Sequence, residues 1–365
     1  MRSKLLEKLL SNDSLFDKIH KPKELKETLK SLNTGNFQRG TESSATPLPP
    51  AVKYVFSSNA ELKTAVNLWV SDKTTALATY GEINTWNVSA ITSLLELFKD
   101  KTNFNDDISN WDVSNVTTME QVFWYASSFN ADISAWDTSS VTDMNFMFEG
   151  AAAFNRNISA WDTSSVTTML QMFRNASIFN QDINTSGTSW DVSNVTRMGS
   201  IFSGAAAFNG NISGWDVSSV TDMSRMFSGT AFNQDISTWN VSSATTMNGT
   251  FGSSPFNQPL NSWNVSSVNN MNSMFAGASS FNQNIDTWDV SSVNFMSTMF
   301  QGATSFNTAN YDLLLIGWSA LSSVQSNVNF DMNAATKYSL GTAATARGVL
   351  TSAPNTWTIT DGGQV

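Results

Sequence analysis

Apolar and polar residues along this chain follow a pattern that returns about every 25 residues. Each unit has a tryptophan, then a methionine-rich segment, then two phenylalanines, separated by short runs of Ser, Thr, Asn and Asp. The first Phe follows the tryptophan by 12 positions, and the second comes five or six positions later. The tryptophans are Trp86, Trp111, Trp136, Trp161, Trp190, Trp215, Trp239, Trp263 and Trp288. Self-similarity at a fixed period indicates a repeat architecture, so the sequence predicts nine tandem repeats.

The spacing inside one repeat predicts its local structure. Val116, Met119 and Phe123 are spaced i, i+3 and i+7, which is typical of one face of a short helix, and Ser114 is its predicted N-cap. The segment 132–134, Asp-Ile-Ser, alternates as a short strand would. A unit of this size cannot bury its apolar face alone, whereas stacked units can. The sequence therefore predicts an α/β repeat solenoid with one short strand and one short helix per coil.

The recurring apolar residues are predicted to form the interior of this stack. Aromatic side chains at one position in every coil would stack on themselves. An exposed aromatic strip that binds carbohydrate is the alternative interpretation of the same columns. An Asn follows the second Phe of every repeat, and we expect a buried amide there that bonds to the backbone of turns. These are Asn105, Asn130, Asn155, Asn180, Asn209, Asn233, Asn257, Asn282 and Asn307.

The repeat motif resembles a known family. The segment 129–136, Phe-Asn-Ala-Asp-Ile-Ser-Ala-Trp, and the following 137–144, Asp-Thr-Ser-Ser-Val-Thr-Asp-Met, are similar to the BspA-like leucine-rich repeats of bacterial surface proteins. The resemblance covers about residues 84–307. It implies a right-handed, leucine-rich-repeat-like solenoid and a role in adhesion or surface binding. Two segments in the C-terminal part of the chain, 311–318 and 357–363, look like the C-terminal module of that family.

Composition changes along the chain and suggests five segments. Residues 1–33 carry leucines at helical spacing among many lysines and are predicted to be a basic amphipathic helical arm. Residues 34–50 contain Gly, Ser, Thr and Pro and are a predicted linker. An N-terminal cap is expected over 51–83, the nine-repeat solenoid over 84–307 and a C-terminal capping module over 308–365.

Polar residues on either side of the predicted strand form a candidate binding face, because a solenoid would turn them toward solvent. The alternative is a merely solvated surface. The candidate face consists of Asp107, Ser109, Asp132, Ser134, Asp182, Asn184, Asn211, Ser213, Asp235, Ser237, Asn284 and Asp286.

The composition excludes several classes of site. The chain has no Cys and one His, so thiolate metal sites, Cys nucleophiles and multi-histidine metal sites are excluded. Carboxylates recur once per repeat instead of forming one distinctive pair, and no phosphate-binding glycine loop is present. We therefore expect no enzyme activity, no cofactor and no metal. The formal net charge of −10 argues against a nucleic-acid partner, and no stretch is long and apolar enough for a membrane span.

Two functions follow. The first is a non-catalytic scaffold for protein or glycan interaction and adhesion. The alternative is a structural component of a larger assembly, such as a minor virion or capsid protein of a large virus, docked through its basic arm. The candidate docking residues are Lys4, Lys8, Lys18, Lys21, Lys23, Lys26 and Lys30. The N-terminal segment lacks the apolar core of a signal peptide, which favours a cytoplasmic or virion-associated protein, whereas the family resemblance favours the cell surface.

Overall fold

The computed structural model describes residues 53–185 and 190–365. Among the described residues, helices occur on both sides of the repeats and the two strands follow the last repeat. Before the first repeat come α1 (Asn59–Ser71), α2 (Lys73–Tyr80) and a 3₁₀-helix (Ile83–Thr85). After the last repeat come α3 (Thr308–Ser319), β1 (Asn329–Asp331), α4 (Thr342–Thr351) and β2 (Thr358–Thr360), and β1 pairs with β2 in parallel. Among the described residues, no helix is long and apolar enough to cross a membrane.

Neighbouring repeats are joined by parallel backbone pairing at one segment, which we call the ladder segment and which comprises residues 118–125 in the second repeat. The residues that pair from repeat to repeat are Ser93, Thr118, Asp143, Thr168, Arg197, Asp222, Thr246, Asn270 and Phe295. Within the segment, the N–H of Met119 donates to the carbonyl of Asp143 at 2.9 Å, and that of Phe123 donates to Met147 at 2.9 Å. The inserted residues before Trp190 leave this register intact, since Thr168 still pairs with Arg197.

The ladder segment is not the short helix that the apolar spacing predicts. Its N–H groups alternate: Met119 and Gln121 donate to the next repeat, whereas Val122 donates to Met119 and Trp124 to Gln121, both at 3.3 Å. An α-helix instead needs every N–H to reach the carbonyl four residues back. Gln121 and Tyr125 also have positive φ angles of 56° and 52°, which a right-handed helix does not contain. The segment is therefore a chain of turns that pairs with its neighbours.

The predicted strand at 132–134 is also a turn. The N–H of Ser134 donates to Oδ1 of Asp132 at 3.0 Å, and that of Trp136 donates to the carbonyl of Ile133 at 3.1 Å. The predicted N-cap Ser114 is itself a donor, because its N–H and hydroxyl both reach Oδ1 of Asp112. The short polar side chains thus take up backbone donors locally, and local bonding of this kind competes with regular strands and helices.

The interior consists of aromatic columns that run through the repeats. Ring centroids of the first Phe of each repeat, from Phe98 to Phe300, lie 5.3–6.1 Å apart in neighbouring repeats. Within a repeat the two rings nearly touch, with centroids 3.7 Å apart for Phe123 and Phe129. These columns and the tryptophans are buried. The predicted interior position is confirmed, and the alternative of an exposed aromatic strip along these columns is wrong.

Each buried indole also needs a hydrogen-bond acceptor. Nε1 of Trp136 donates to the carbonyl of Ile108 at 3.2 Å, and Nε1 of Trp161 donates to Ile133 at 3.0 Å. In both cases the acceptor lies 28 residues earlier, three positions before the tryptophan of the preceding repeat. The tryptophan column therefore ties repeats together by hydrogen bonds as well as by packing, except at Trp239, whose buried Nε1 has no acceptor among the described residues.

The asparagine column forms a second ladder at the surface. Oδ1 of Asn130 accepts the N–H of Asn155 at 3.0 Å, and Oδ1 of Asn155 accepts the N–H of Asn180 at 2.9 Å. The same bond continues from Asn105 to Asn307. The predicted bonding to backbone is confirmed. The amides are half-buried or exposed instead of buried, because each reaches along the outer edge of the stack.

The first repeat packs against the N-terminal helices. α1 buries Leu62, Val66 and Trp69, and the ring of Trp69 meets that of Trp86 edge-on at 5.7 Å. Asn87 pairs with Val55 in a parallel bridge. These contacts cover the apolar rings that the first repeat presents, which is what a terminal unit of a stack requires.

The last repeat packs against the C-terminal elements. Phe330 of β1 lies 6.1 Å from Phe300, and Met296 pairs with Phe330. A buried polar cluster holds these elements together, because the Tyr311 hydroxyl and Nε of Arg347 both donate to Oδ2 of Asp361, at 2.7 and 2.8 Å. Burial and the neighbouring Asp361 charge raise the pKa of Tyr311, so it stays a hydroxyl donor.

Removing one ring from the aromatic column should be costly. Phe148 lies within 5.6 Å of Phe123, Phe154 and Phe173, so Phe148→Ala leaves a cavity that rigid neighbours on three sides cannot fill. We expect a loss of about 3–5 kcal/mol in unfolding free energy, measured by urea denaturation. Ser140→Ala, at an exposed position, is the control and should change little. A loss below about 1 kcal/mol for Phe148→Ala would contradict the packing described.

The asparagine ladder can be tested with a matched pair of variants. Asn155→Ala removes the oxygen that accepts the N–H of Asn180 and the amide of Gln181, and should cost about 1–3 kcal/mol. Asn155→Asp keeps an acceptor oxygen at the same place and should retain most of the stability at pH 7. Equal destabilisation by both variants, measured by the same denaturation, would show that the acceptor is not what matters.

Candidate functional site

The predicted binding face consists mainly of turn-forming residues. Oδ1 of Asp107, Asp132, Asn211, Asp235 and Asn284 each accepts the N–H of the residue two positions later, at 2.9–3.0 Å. The donors are five further predicted residues of the face, Ser109, Ser134, Ser213, Ser237 and Asp286. The acceptors are exposed except for the half-buried Asn284. A role of this face in binding stays a prediction, and its structural role is to hold turns.

Two of these turns lower the pKa of their carboxyl groups. The N–H and the hydroxyl of Ser134 hold the pKa of Asp132 below its usual range, and Ser237 does the same for Asp235. A second column of Asp and Asn residues, one position after the tryptophan of each repeat, contains two more such carboxyl groups. Its members Asp137 and Asp216 have lowered pKa values because they accept hydrogen bonds from the hydroxyl and N–H of the serine two positions on.

Three predicted residues do come together in a concave site. Asp182, Asn184 and Asn211 line a polar cleft of about 580 Å³, with Asn157, Ser159, Asn180 and Gln181. Here the carboxyl and amide oxygens bond across repeats, since Asp182 accepts the N–H of Asn211 at 2.8 Å. Gly210 is required at this place because a Cβ would overlap the carbonyl oxygen of Gln181.

A different surface groups aromatic and charged side chains, and the sequence analysis did not find it. On the outer side of the ladder segments, the first four repeats present aromatic, aliphatic and charged residues. We call this group the aromatic patch; it consists of Leu95, Lys99, Trp124, Tyr125, Phe146, Glu149 and Arg174. In the last five repeats, the position of Trp124 is taken by Ser203, Ser228, Gly252, Ala276 and Gln301. Leu95 and Tyr125 are 44% and 40% exposed. A comparison of the repeats column by column would have shown this contrast.

Polar contacts hold the centre of the patch in place. Glu149 is buried, and its two carboxylate oxygens accept Nε1 of Trp124 at 3.1 Å and Nη1 of Arg174 at 2.8 Å. The ammonium group of Lys99 lies 4.4 Å from the centroid of the Trp124 ring, within cation–π range, and is paired with Glu96 at 2.7 Å. The indole is therefore fixed at its edge and on one face.

Tyr125 depends on the glycine beside it. Its ring lies over Gly150, where a Cβ would come within 2.8 Å of Cδ1 of the tyrosine. Gly150 also has a φ angle of 70°, which favours glycine. The ring of Tyr125 meets that of Trp124 edge-on, with centroids 4.7 Å apart. Two adjacent aromatic rings are thus held in one orientation at the surface.

A shallow groove opens in the middle of the patch. Its volume is about 320 Å³, and it is lined by Gln121, Trp124, Phe146, Glu149, Gln171 and Arg174. Among the described residues, no group of three or more His, Asp or Glu side chains is arranged to hold a metal ion. The predicted docking arm, with its seven lysines, lies in residues 1–33 and outside the described residues.

The turn-forming carboxylates predict a pH dependence of stability. Their folded-state pKa values lie below the unfolded value of about 3.9, so their contribution is present above that pH and is lost as the pH falls through the folded pKa. Asp132, Asp137, Asp216 and Asp235 should be replaced together by Asn, because each exposed group contributes little.

We expect this fourfold variant to lose less stability than the wild-type chain between pH 5 and pH 3, measured by thermal unfolding. Asn keeps the acceptor oxygen and already occupies the equivalent position in other repeats, for example Asn157 and Asn240. An unchanged pH dependence would mean that the negative charge of these side chains does not stabilise the turns.

Comparison with known proteins places the chain in a repeat family. The sequence model of the family described as "Mycoplasma protein of unknown function, DUF285" matches residues 33–136, 71–186, 183–255 and 251–340. The matches follow one another along the repeats and together cover most of the chain. No curated protein and no solved structure matches it. The recurring tryptophan and phenylalanine columns are therefore those of a tandem-repeat protein, and the chain belongs to the DUF285 family.

Proposed function

We propose that this protein is a non-catalytic interaction scaffold that binds its ligand, a protein or a glycan, through the aromatic patch. The observation that carries the proposal is the contrast between the two halves of one surface. The first four repeats present Trp124, Tyr125 and Phe146 together with charged side chains on the ladder segments. The last five present mainly Ser, Gly, Ala and Asn there, with Phe295, Arg197 and Arg225 as separate large side chains. The interior columns are the same in both halves, so stacking of the repeats does not require the difference.

The chemistry of the patch is that of binding surfaces. Trp, Tyr and Arg are enriched among the residues that dominate binding energy, and the patch contains Trp124, Tyr125 and Arg174. Isolated exposed apolar side chains need no explanation, whereas a contiguous group marks an interaction site. The rings are held by Glu149, Lys99 and Gly150, so little side-chain freedom is left to lose on binding.

The proposal of a non-catalytic role rests on how the carboxylates are used. Asp132, Asp137, Asp216 and Asp235 accept the N–H of the residue two positions later and are repeated around the stack. The carboxylate of Glu149 accepts hydrogen bonds from Trp124 and Arg174. Acid–base catalysis instead needs a carboxyl group with a distinct partner and a pKa suited to proton transfer.

For the fold, we propose a right-handed solenoid of the BspA-like, leucine-rich-repeat-like type. The parallel bridges from Ser93 to Phe295, one for each neighbouring pair of repeats, support it. The resemblance of the motif to BspA-like repeats also favours adhesion as the role of such a surface. In such a solenoid, single bridges and turns take the place of the strand and the helix of each coil.

The test replaces patch residues with those that later repeats use at the same positions. Trp124→Ser, Tyr125→Gly and Phe146→Ser reproduce Ser203, Gly204 and Ser200, so the combined variant should fold. Wild-type protein should bind at least one probe on arrays of extracellular proteins and glycans, and the variant should bind it at least tenfold more weakly. Gln301→Ser, at the Trp124 position of the ninth repeat, is the control and should bind like wild type. Equal binding by the folded triple variant would refute the patch as the binding site.

A further inference from the structure

We infer that the groove of the aromatic patch is a binding site for one sugar unit of an uncharged glycan. The inference rests on the proposed binding function and assigns it a ligand class. The groove is lined by Gln121, Trp124, Phe146, Glu149, Gln171 and Arg174. Its volume of about 320 Å³ lies near the lower end of small-molecule sites, which span about 300–1,000 Å³. This size suits a ligand of one or two rings.

The groove is lined by apolar residues and by polar residues, and a sugar ring likewise has an apolar face and polar hydroxyl groups. Trp124 and Phe146 are half-buried and contribute aromatic surface. One face of a pyranose ring presents C–H groups, which pack against the electron-rich face of an aromatic ring. The hydroxyl groups at the edge of the sugar then meet the polar residues, so both kinds of wall have a complementary part of the same ligand.

Two residues that line the groove have hydrogen-bond donors that a ligand could use. Arg174 uses Nη1 for Glu149 and Gln171, and among the described residues its Nε and Nη2 have no acceptor. The amide nitrogen of Gln171 likewise has no acceptor among the described residues, since only its Oε1 is bonded. The side chain of Arg174 is 41% exposed, so these donors are reachable from solvent.

Acceptors are present beside these donors. Each carboxylate oxygen of Glu149 accepts one hydrogen bond, from Trp124 and from Arg174, and Oε1 of Gln121 accepts one from Lys99 at 2.9 Å. Such oxygens can accept a second bond. A hydroxyl group donates one hydrogen bond and accepts others, so vicinal hydroxyls match a site that offers both roles within a few ångströms.

Charge favours an uncharged ligand. The guanidinium of Arg174 is paired with Glu149 at 2.8 Å, and the ammonium of Lys99 is paired at 2.7 Å with Glu96, which also reaches Lys63 at 3.3 Å. An acidic ligand would have to compete with these carboxylates, and it would also approach a chain with a formal net charge of −10. A neutral sugar meets neither obstacle.

The test uses the full chain and a glycan array. The neutral probes are oligosaccharides of glucose, galactose, mannose and N-acetylglucosamine, and the acidic probes contain uronate or sialate. We expect binding to a neutral probe, with its affinity then measured by calorimetry. Gln171→Ala and Phe146→Ser should each weaken that binding at least tenfold. Arg225→Ala, at an exposed position of the sixth repeat's ladder segment, is the matched control and should bind like wild type.

The outcomes separate this inference from the proposed function. Binding to acidic probes alone, or to no glycan, overturns the sugar site. If a protein ligand is lost in the Trp124, Tyr125 and Phe146 triple variant and no oligosaccharide competes with it, the sugar site is wrong and the binding role of the patch stands. Neutral-glycan binding that all of these variants retain would overturn both.

Discussion

The structure depends on how the backbone N–H groups of the ladder segment are divided between two sets of acceptors. Alternate residues donate to the next repeat and to their own repeat, as Met119 and Val122 do. This division requires positive φ angles at two positions of the segment, which Gln121 and Tyr125 adopt in the second repeat and Gly204 and Ser200 in the fifth. A buried N–H without an acceptor costs free energy comparable to a lost hydrogen bond. The spacing between these positions therefore cannot change, and the interval from Trp to the first Phe is 12 residues in every repeat.

This constraint leaves length free elsewhere. The sixth and seventh repeats are one residue shorter between their two phenylalanines, where Thr230 and Ser254 lie and bond back to the carbonyls of Phe227 and Phe251. The insertion before Trp190 likewise lies outside the ladder segment. The constraint also leaves the outer side chains of the ladder segment free to vary, because backbone pairing, the inward residues and the asparagine ladder join the repeats. The aromatic patch uses that freedom in the first four repeats.

The features that recur in every repeat could be predicted from the sequence. The period, the buried columns and the backbone bonds of the asparagine column all follow from residues that recur at fixed spacing. The local conformation did not follow, since the spacing of Val116, Met119 and Phe123 fits a helix and also a chain of turns whose i→i+3 bonds place the same residues inward. The patch was missed for another reason. Trp124 and Tyr125 stand at positions that vary among repeats, and a search for what recurs passes over them.

The central claim is that each repeat advances the stack by one register step, whatever its length. The chain has no Cys, so pairs of introduced cysteines can carry spin labels without interference. Thr142 is exposed, and its equivalents in later repeats are Thr167, Thr196, Thr221, Thr245, Asn269 and Asn294. Electron–electron distances from position 142 should grow by about 5 Å per repeat, the spacing of paired backbone segments. The step from 167 to 196 should equal the others despite its 29 residues. Distances that follow residue separation instead, or that do not grow with repeat number, would contradict the account.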